Sequence, residues 1–206
     1  FGTRIREAHS IANPGCFATA IQIGLLPLAA AQGLNSSIHI TGITGATGAG
    51  QKLQESSHFA WRNQNLSVYK VFEHQHLAEI KATLSGLQQD FAEDILFVPM
   101  RGGFTRGILA SLVLQTDLSP QVVHELYREF YASTPFVHLS ETEINLKQVV
   151  NTNHALLALH HDRDHLQVTV CLDNLLKGAS GQAVQNMNLR LGRPETEGLQ
   201  LKSIVF

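Results

Sequence analysis

The sequence predicts an α/β (α+β) domain with a mixed, largely antiparallel sheet backed by helices, and three observations lead there. Segments that alternate like strands are interleaved with segments whose apolar residues recur every three or four positions. The connections between strands include both hairpin-length and longer ones. The length of 206 residues, without internal repeats or low-complexity tracts, fits a single domain over residues 1–206.

Taken in order, Asn13 followed by Pro14 reads as a helix N-cap with proline at the first helical position. The apolar run of residues 17–34 continues that helix to Gly33 as its stop, which puts Cys16 in the first turn. Residues 37–41 alternate Ile38 and Ile40 with polar neighbours, as a strand does, and lead into a glycine-rich loop at residues 42–50. A short strand is predicted at residues 68–72. Leu77, Ile80, Leu84 and Leu87 then mark a helix over residues 77–87. Residues 95–100 and 107–116 read as strands, residues 120–131 as an amphipathic helix, and residues 154–160 and 166–172 as a late strand pair. Residues 178–191 form a final helix-like segment.

Charged residues make up 16% of the chain, against roughly 25% in ordinary soluble domains, so a surface partly covered by a partner is expected. A formal net charge of −2 without a long basic run argues against nucleic acid or an anionic membrane as partners. Residues 18–34 are broken by Gln22, Gly24, Pro27 and Gln32 and fall short of a membrane span of roughly 18 apolar residues. With only Cys16 and Cys171 there is no disulfide framework, and a soluble, cytoplasmic protein is the expectation. The opening on Phe1, with neither an initiator Met nor a signal peptide, reads as a start trimmed upstream.

Chemistry concentrates in four places. The segment Asn13-Pro14-Gly15-Cys16 sets a thiol at the positive end of a helix, where free N–H groups favour a thiolate and lower the pKa from about 8.5 toward neutrality. Thr19 lies one turn along, near the same mouth. The competing reading of Cys16 is a small buried apolar residue, which is also the expectation for Cys171 among its apolar neighbours. His74 and His76 precede a helix whose first turn holds Glu79, a set suited to acid/base work with an orienting carboxylate; metal ligation is the weaker alternative. Arg101 and Arg106 flank Gly102 and Gly103 between strands. Arg106, next to Gly107 at the start of a buried-looking strand, is the better candidate to hold a carboxylate or phosphate, and Arg101 reads as ordinary loop charge. The glycines at 42, 45, 48 and 50 do not follow the G-x-G-x-x-G order of a dinucleotide site and read as a flexible loop facing an anion or substrate. His160, His161 and His165 read as a polar turn between strands, with no metal assigned.

Asn13-Pro14-Gly15-Cys16 with Thr19, His74-x-His76-x-x-Glu79-Ile80, Arg106-Gly107-Ile108 after Pro99, and the long run from Asp173-Asn174 through Gly178-Ala179-Ser180-Gly181-Gln182 to Asn186 together resemble one family. It is N-acetyl-gamma-glutamyl-phosphate reductase, within the aspartate-semialdehyde dehydrogenase group, and the resemblance spans nearly the whole chain. It implies the catalytic and dimerisation domain of an NADPH-dependent enzyme of arginine biosynthesis. The substrate would be a small acyl phosphate, N-acetyl-gamma-glutamyl phosphate, reduced to the semialdehyde with release of phosphate.

In the roles implied by the resemblance, Cys16 forms a thioester and NADPH delivers hydride. His74, ahead of His76, supplies the acid/base group. Arg106 holds the substrate anion, with His76, Glu79 and Thr19 on the substrate side. Asn174, Gly178 and Gly181 lie by the nicotinamide of NADP. The resemblance further implies a homodimer or homotetramer, and an amino-terminal Rossmann domain for NADP, absent from these 206 residues, to which the helix at 178–191 would return. These residues alone are then expected not to turn over. Residues 99–105 depart from the family pattern. Two other readings compete: an isolated, inactive dimerisation domain, and a Cys–His hydrolase that uses Cys16 and His74 without a cofactor.

Overall fold

The structure, a computed structural model, describes residues 2–204; Phe1, on which the reading of a trimmed start rests, lies outside them. Seven strands form one sheet: β1 (Ile38–Thr44), β2 (Ser67–Val68), β3 (Ile95–Arg101), β4 (Ile108–Gln115), β5 (Val137–Leu139), β6 (Ala155–Asp162) and β7 (His165–Leu172). The helices are α1 (Gly2–Glu7), α2 (Cys16–Ala30), α3 (Phe59–Arg62), α4 (His76–Leu87), α5 (Pro120–Tyr131) and α6 (Gly181–Arg190). The strand order is β2-β3-β1-β4-β7-β6-β5. β1 pairs with β3, and β5 with β6, in parallel, while the remaining neighbours are antiparallel. The expected mixed, largely antiparallel sheet is therefore present.

One face of the sheet carries the core. Ile108, Ala110, Leu112 and Leu114 of β4 and Val168 and Val170 of β7 are buried there against α2. The alternate residues Leu109, Ser111 and Val113, like Leu96 and Val98 on β3, are only half-buried on the opposite face. The central helix α2 is apolar all round and buried along most of its length, as a helix enclosed between sheet and other helices must be. Pro27 within it lacks the N–H that would bond the Ile23 carbonyl. Tyr131 of α5 donates its hydroxyl to that carbonyl at 2.5 Å, and Tyr127 donates to the neighbouring Gly24 carbonyl. The defect in one helix thus becomes the docking point for another.

Several boundaries differ from the sequence reading. The helix starts at Cys16, not at Pro14: Gly15 is the cap residue, its N–H is taken by Glu79 Oε2 at 2.8 Å, and Asn13 accepts instead from Asn186 at 2.7 Å. β1 runs on to Thr44 because it is paired on both sides as far as that residue. Of residues 68–72 only Val68 is in a strand; the left-handed backbone of Lys70 (φ 45°) and Phe72 (φ 61°) breaks the alternation. The expected final helix begins as a π-helical turn, Leu176–Ser180, before α6. α1, α3 and the three-residue β5 have no counterpart in the sequence reading.

The topology gathers one edge. The register Thr44↔Arg101, Thr44↔Ile108 and Ile108↔Leu172 aligns the ends of β1, β3 and β7 with the start of β4. The parallel β1/β3 pair is bridged by α4, which runs antiparallel to them as a crossover helix does and so begins at that same edge. His74 and His76 are brought there by this connection, and Arg101 by the end of β3.

Candidate active site

At this edge lies a cleft of roughly 710 Å³ with Cys16 in its wall. The first turn of α2 forms one side, the loop after β1 (residues 44–50) another, and Tyr69, Lys70, His74, Gln75, His76 and Arg101 a third. Asn174, Leu175, Gly178 and Ala179 close it. Its cations are Arg101 and Lys70, and no carboxylate is among the residues lining it.

Cys16 lies in the first turn of α2, as expected, and is its first residue, but its thiol is pushed up from its ordinary value. Burial is the main cause; the N–H groups of Cys16 and Phe17 pull the other way, as does Arg101, while the negative charge of Glu79 adds to the rise. The expected lowering toward neutrality is thus overturned. The helix-end effect is present but smaller than desolvation; Gly178 is among the close neighbours, and a Cβ on it would lie 2.8 Å from that of Cys16. Cys171 is buried in β7 with its thiol pushed up to about 12 by burial, the core role predicted for it.

His76 stands directly against Gly15: a Cβ at that glycine would fall 2.1 Å from Nε2 of His76. Only glycine lets the imidazole approach the start of α2 this closely. Nδ1 of His76 is buried without a partner among the described residues. His74 packs edge-on against Phe17, Tyr69 and Phe97, and its Nδ1 accepts from the backbone N–H of His76 at 3.2 Å. That bond leaves Nε2 as the protonated nitrogen of the neutral ring. Burial, then the like charges of His76, Lys70 and Arg101, lower the His74 pKa to about 4. His76 is lowered as well, chiefly by burial, with Glu79 opposing.

The remaining predicted residues divide. Asn174 lines the cleft, with both ends of its amide engaged: Oδ1 accepts from Gly107 N at 2.7 Å and Nδ2 donates to Thr47 Oγ1 at 3.1 Å. Thr19 is buried behind the cleft, within hydrogen-bond distance of Gly15 O (3.1 Å) and Gln182 Oε1 (3.2 Å). Gly181 packs against Asn153 and Leu176. Arg106 does not line the cleft; it pairs at 2.8 Å with the fully buried Asp173. Asp173 also accepts from the N–H groups of Asn151, Leu175 and Leu176, so it fixes the start of the π-helical turn. His160, His161 and His165 sit at the opposite end of β6 and β7, where His165 pairs with Asp164 at 2.9 Å.

Sequence reasoning set Arg101 aside as ordinary loop charge and did not single out Tyr69 or Lys70. The signal for Arg101 was its place directly after the strand residues 95–100, since the last residue of a strand next to a glycine pair is well placed to reach a site at that edge.

Residues 16–174 match the family described as semialdehyde dehydrogenase, dimerisation domain. The chain is 54% identical over 199 residues to the N-acetyl-gamma-glutamyl-phosphate reductase of Bacteroides fragilis, covering 97% of this chain and 62% of that protein. It is also 54% identical over 202 residues to the reductase of the same name from Flavobacterium johnsoniae, covering 98% and 62%. It therefore spans 62% of the length of these curated relatives. Among solved structures, an aspartate semialdehyde dehydrogenase II from Vibrio cholerae aligns with a TM-score of 0.70 at 16% identity, over 93% of this chain and 65% of that one. A probable aspartate-semialdehyde dehydrogenase from Pseudomonas aeruginosa gives 0.70 at 13% identity, over 92% and 66%. These two support the fold. With its mixed sheet, its thiol at the start of the central helix and a family match covering most of its length, the chain belongs to the semialdehyde dehydrogenase dimerisation-domain family.

Proposed function

We propose that this chain carries the thiol site of an N-acetyl-gamma-glutamyl-phosphate reductase, which converts the acyl phosphate to N-acetylglutamate semialdehyde and phosphate in arginine biosynthesis. The observation that carries the reading is Cys16 at the start of α2, in a cleft with two cations and no lining carboxylate, which suits an anionic acyl substrate. The names of the relatives at 54% identity supply the reaction class.

Because the resting thiol is protonated, attack needs a base. His76, against Gly15, takes the thiol proton; its partnerless Nδ1 leaves it free of a competing hydrogen bond on that side. Sγ then bonds to the acyl carbon, the carbon–oxygen bond to phosphate breaks, and its electron pair leaves with the phosphate. His74, neutral and protonated on Nε2, acts as the acid, donating toward the developing oxyanion.

The residues beside the thiol fit a flat ring: Gly178 and Ala179 offer no bulk there, and Leu175 is an exposed apolar side chain on the same wall. NADP(H), when bound, supplies the hydride that brings the thioester to the aldehyde level. Departure of Sγ from the resulting hemithioacetal releases the semialdehyde and restores the thiolate. Asn174 and Asp173 hold this wall in place, Asp173 with the help of Arg106.

The half-buried face of the sheet and the family's description as a dimerisation domain support a homodimer. No described helix is long and apolar enough to cross a membrane, and two free thiols suit a reducing cytoplasm. The test is Cys16→Ser, measured as acyl-phosphate-dependent NADPH oxidation by the complete protein: a loss of about 10³-fold or more is expected. Undiminished turnover in the serine variant refutes the thioester route, and phosphate release that needs no NADPH assigns a hydrolase instead.

A further inference from the structure

Arg101 ends β3 with its side chain in the same cleft as Cys16. Its guanidinium lies over the Tyr69 ring, 4.5 Å from the centroid, and its buried Nε has no partner among the described residues. No carboxylate pairs with it among the described residues, and none lines the cleft. Arg106, a few residues on, is satisfied by Asp173. A partly buried guanidinium, stacked so that its plane is fixed and left without a counter-ion, is a vacant receptor for an oxyanion. Behind it, Arg62 donates Nη1 to the Arg101 carbonyl at 2.6 Å, which fixes the backbone and does not involve the side chain.

We infer that Arg101, not Arg106, holds the substrate oxyanion beside the thiol, with Tyr69 fixing the plane of its guanidinium. The reading rests on the reductase assignment only for the name of the anion, a phosphoryl group or a carboxylate of the acyl phosphate. The receptor itself is a property of this cleft. Its position also serves the chemistry: the charge that draws the anion in favours the thiolate form of Cys16, in keeping with the opposing pull of Arg101 on that thiol.

The test uses the thiol as its own probe and needs no turnover. Cys16 alkylation is followed by mass mapping with anionic iodoacetate and with neutral iodoacetamide, and the ratio of the two rates cancels the thiolate fraction. In the native protein the ratio is expected to exceed that of Arg101→Gln by roughly 10-fold. Arg101→Lys, which keeps a charge but loses the planar fork, falls between. Inorganic phosphate slows alkylation of the native protein but not of Arg101→Gln, and acetate at matched ionic strength distinguishes a phosphoryl from a carboxylate receptor. Circular dichroism checks that the variants fold, and Lys70→Gln is the control for the second cation. An unchanged ratio in folded Arg101→Gln, or a fall confined to Lys70→Gln, overturns the inference. Either result leaves the reductase reading to stand or fall on Cys16→Ser, whereas a turnover failure there leaves the receptor intact.

Discussion

The charge on Cys16 is decided by opposing neighbours, so it can be moved without touching the thiol. Glu79 holds Gly15 N and at the same time opposes ionisation of Cys16. Glu79→Gln keeps an oxygen for that N–H and removes the charge, so the thiol pKa is expected to fall and iodoacetamide alkylation at pH 7 to quicken about 3-fold. A slower or unchanged rate counts against this account of the thiol. At this scale the sequence was a good guide to position and a poor one to environment. Cys16 at a helix start is a local fact of Asn13-Pro14-Gly15-Cys16, but the burial that raises its pKa is tertiary, and Gly178, packed against it from 162 positions away, is in no local pattern. The choice between Arg101 and Arg106 failed as a guide to the cleft for the same reason. The partner that occupies Arg106 is Asp173, at the other end of β7 from the hairpin.

Among the elements, α2 and α4 were legible because apolar spacing acts within one turn or two, although the cap expected at Asn13 is not the one that forms. β5, with three residues, has too little pattern to show, and residues 68–72 alternate like a strand while their backbone turns. Least legible was the π-helical turn. Its bonds from Ser180 N to Leu175 O and from Gly178 N to Asp173 O, both at 2.9 Å, span five residues, so one extra residue is accommodated where the wall meets α2. That turn sets Gly178 on Cys16. Gly178→Ala is expected to cost about 1–3 kcal/mol in chemical denaturation, since the added methyl meets Cys16 Cβ at 2.8 Å and Cα at 3.2 Å. Unaltered stability would mean that the wall can retreat from the helix.

For the whole molecule, the histidines held neutral set the pH response. The His74 pKa falls from 6.5 to about 4 on folding, so between these values the unfolded chain binds more protons than the folded one. Its contribution is therefore complete above about pH 6.5 and is lost as pH falls through about 4, amounting to ~3 kcal/mol for this group. His76, His138 and His154 shift in the same direction, and burial lowers Lys177 to about 8, with the same sign at higher pH. Denaturant midpoints are expected to rise from pH 4.5 to 7.5, and His74→Gln to flatten the rise. A midpoint independent of pH over that range would contradict the burial of neutral imidazoles.

The cleft joins distant parts of the chain: Gln182 donates to the Pro14 carbonyl across 168 positions, and Thr19 meets Gln182 across 163. Contacts of such separation form late, because the entropy of closing the loop is lost before they return anything. A chain still folding therefore carries Cys16 as an ordinary open thiol, exposed to oxidants. Its shielding by Gly178 is acquired only when the first and last thirds of the sequence meet.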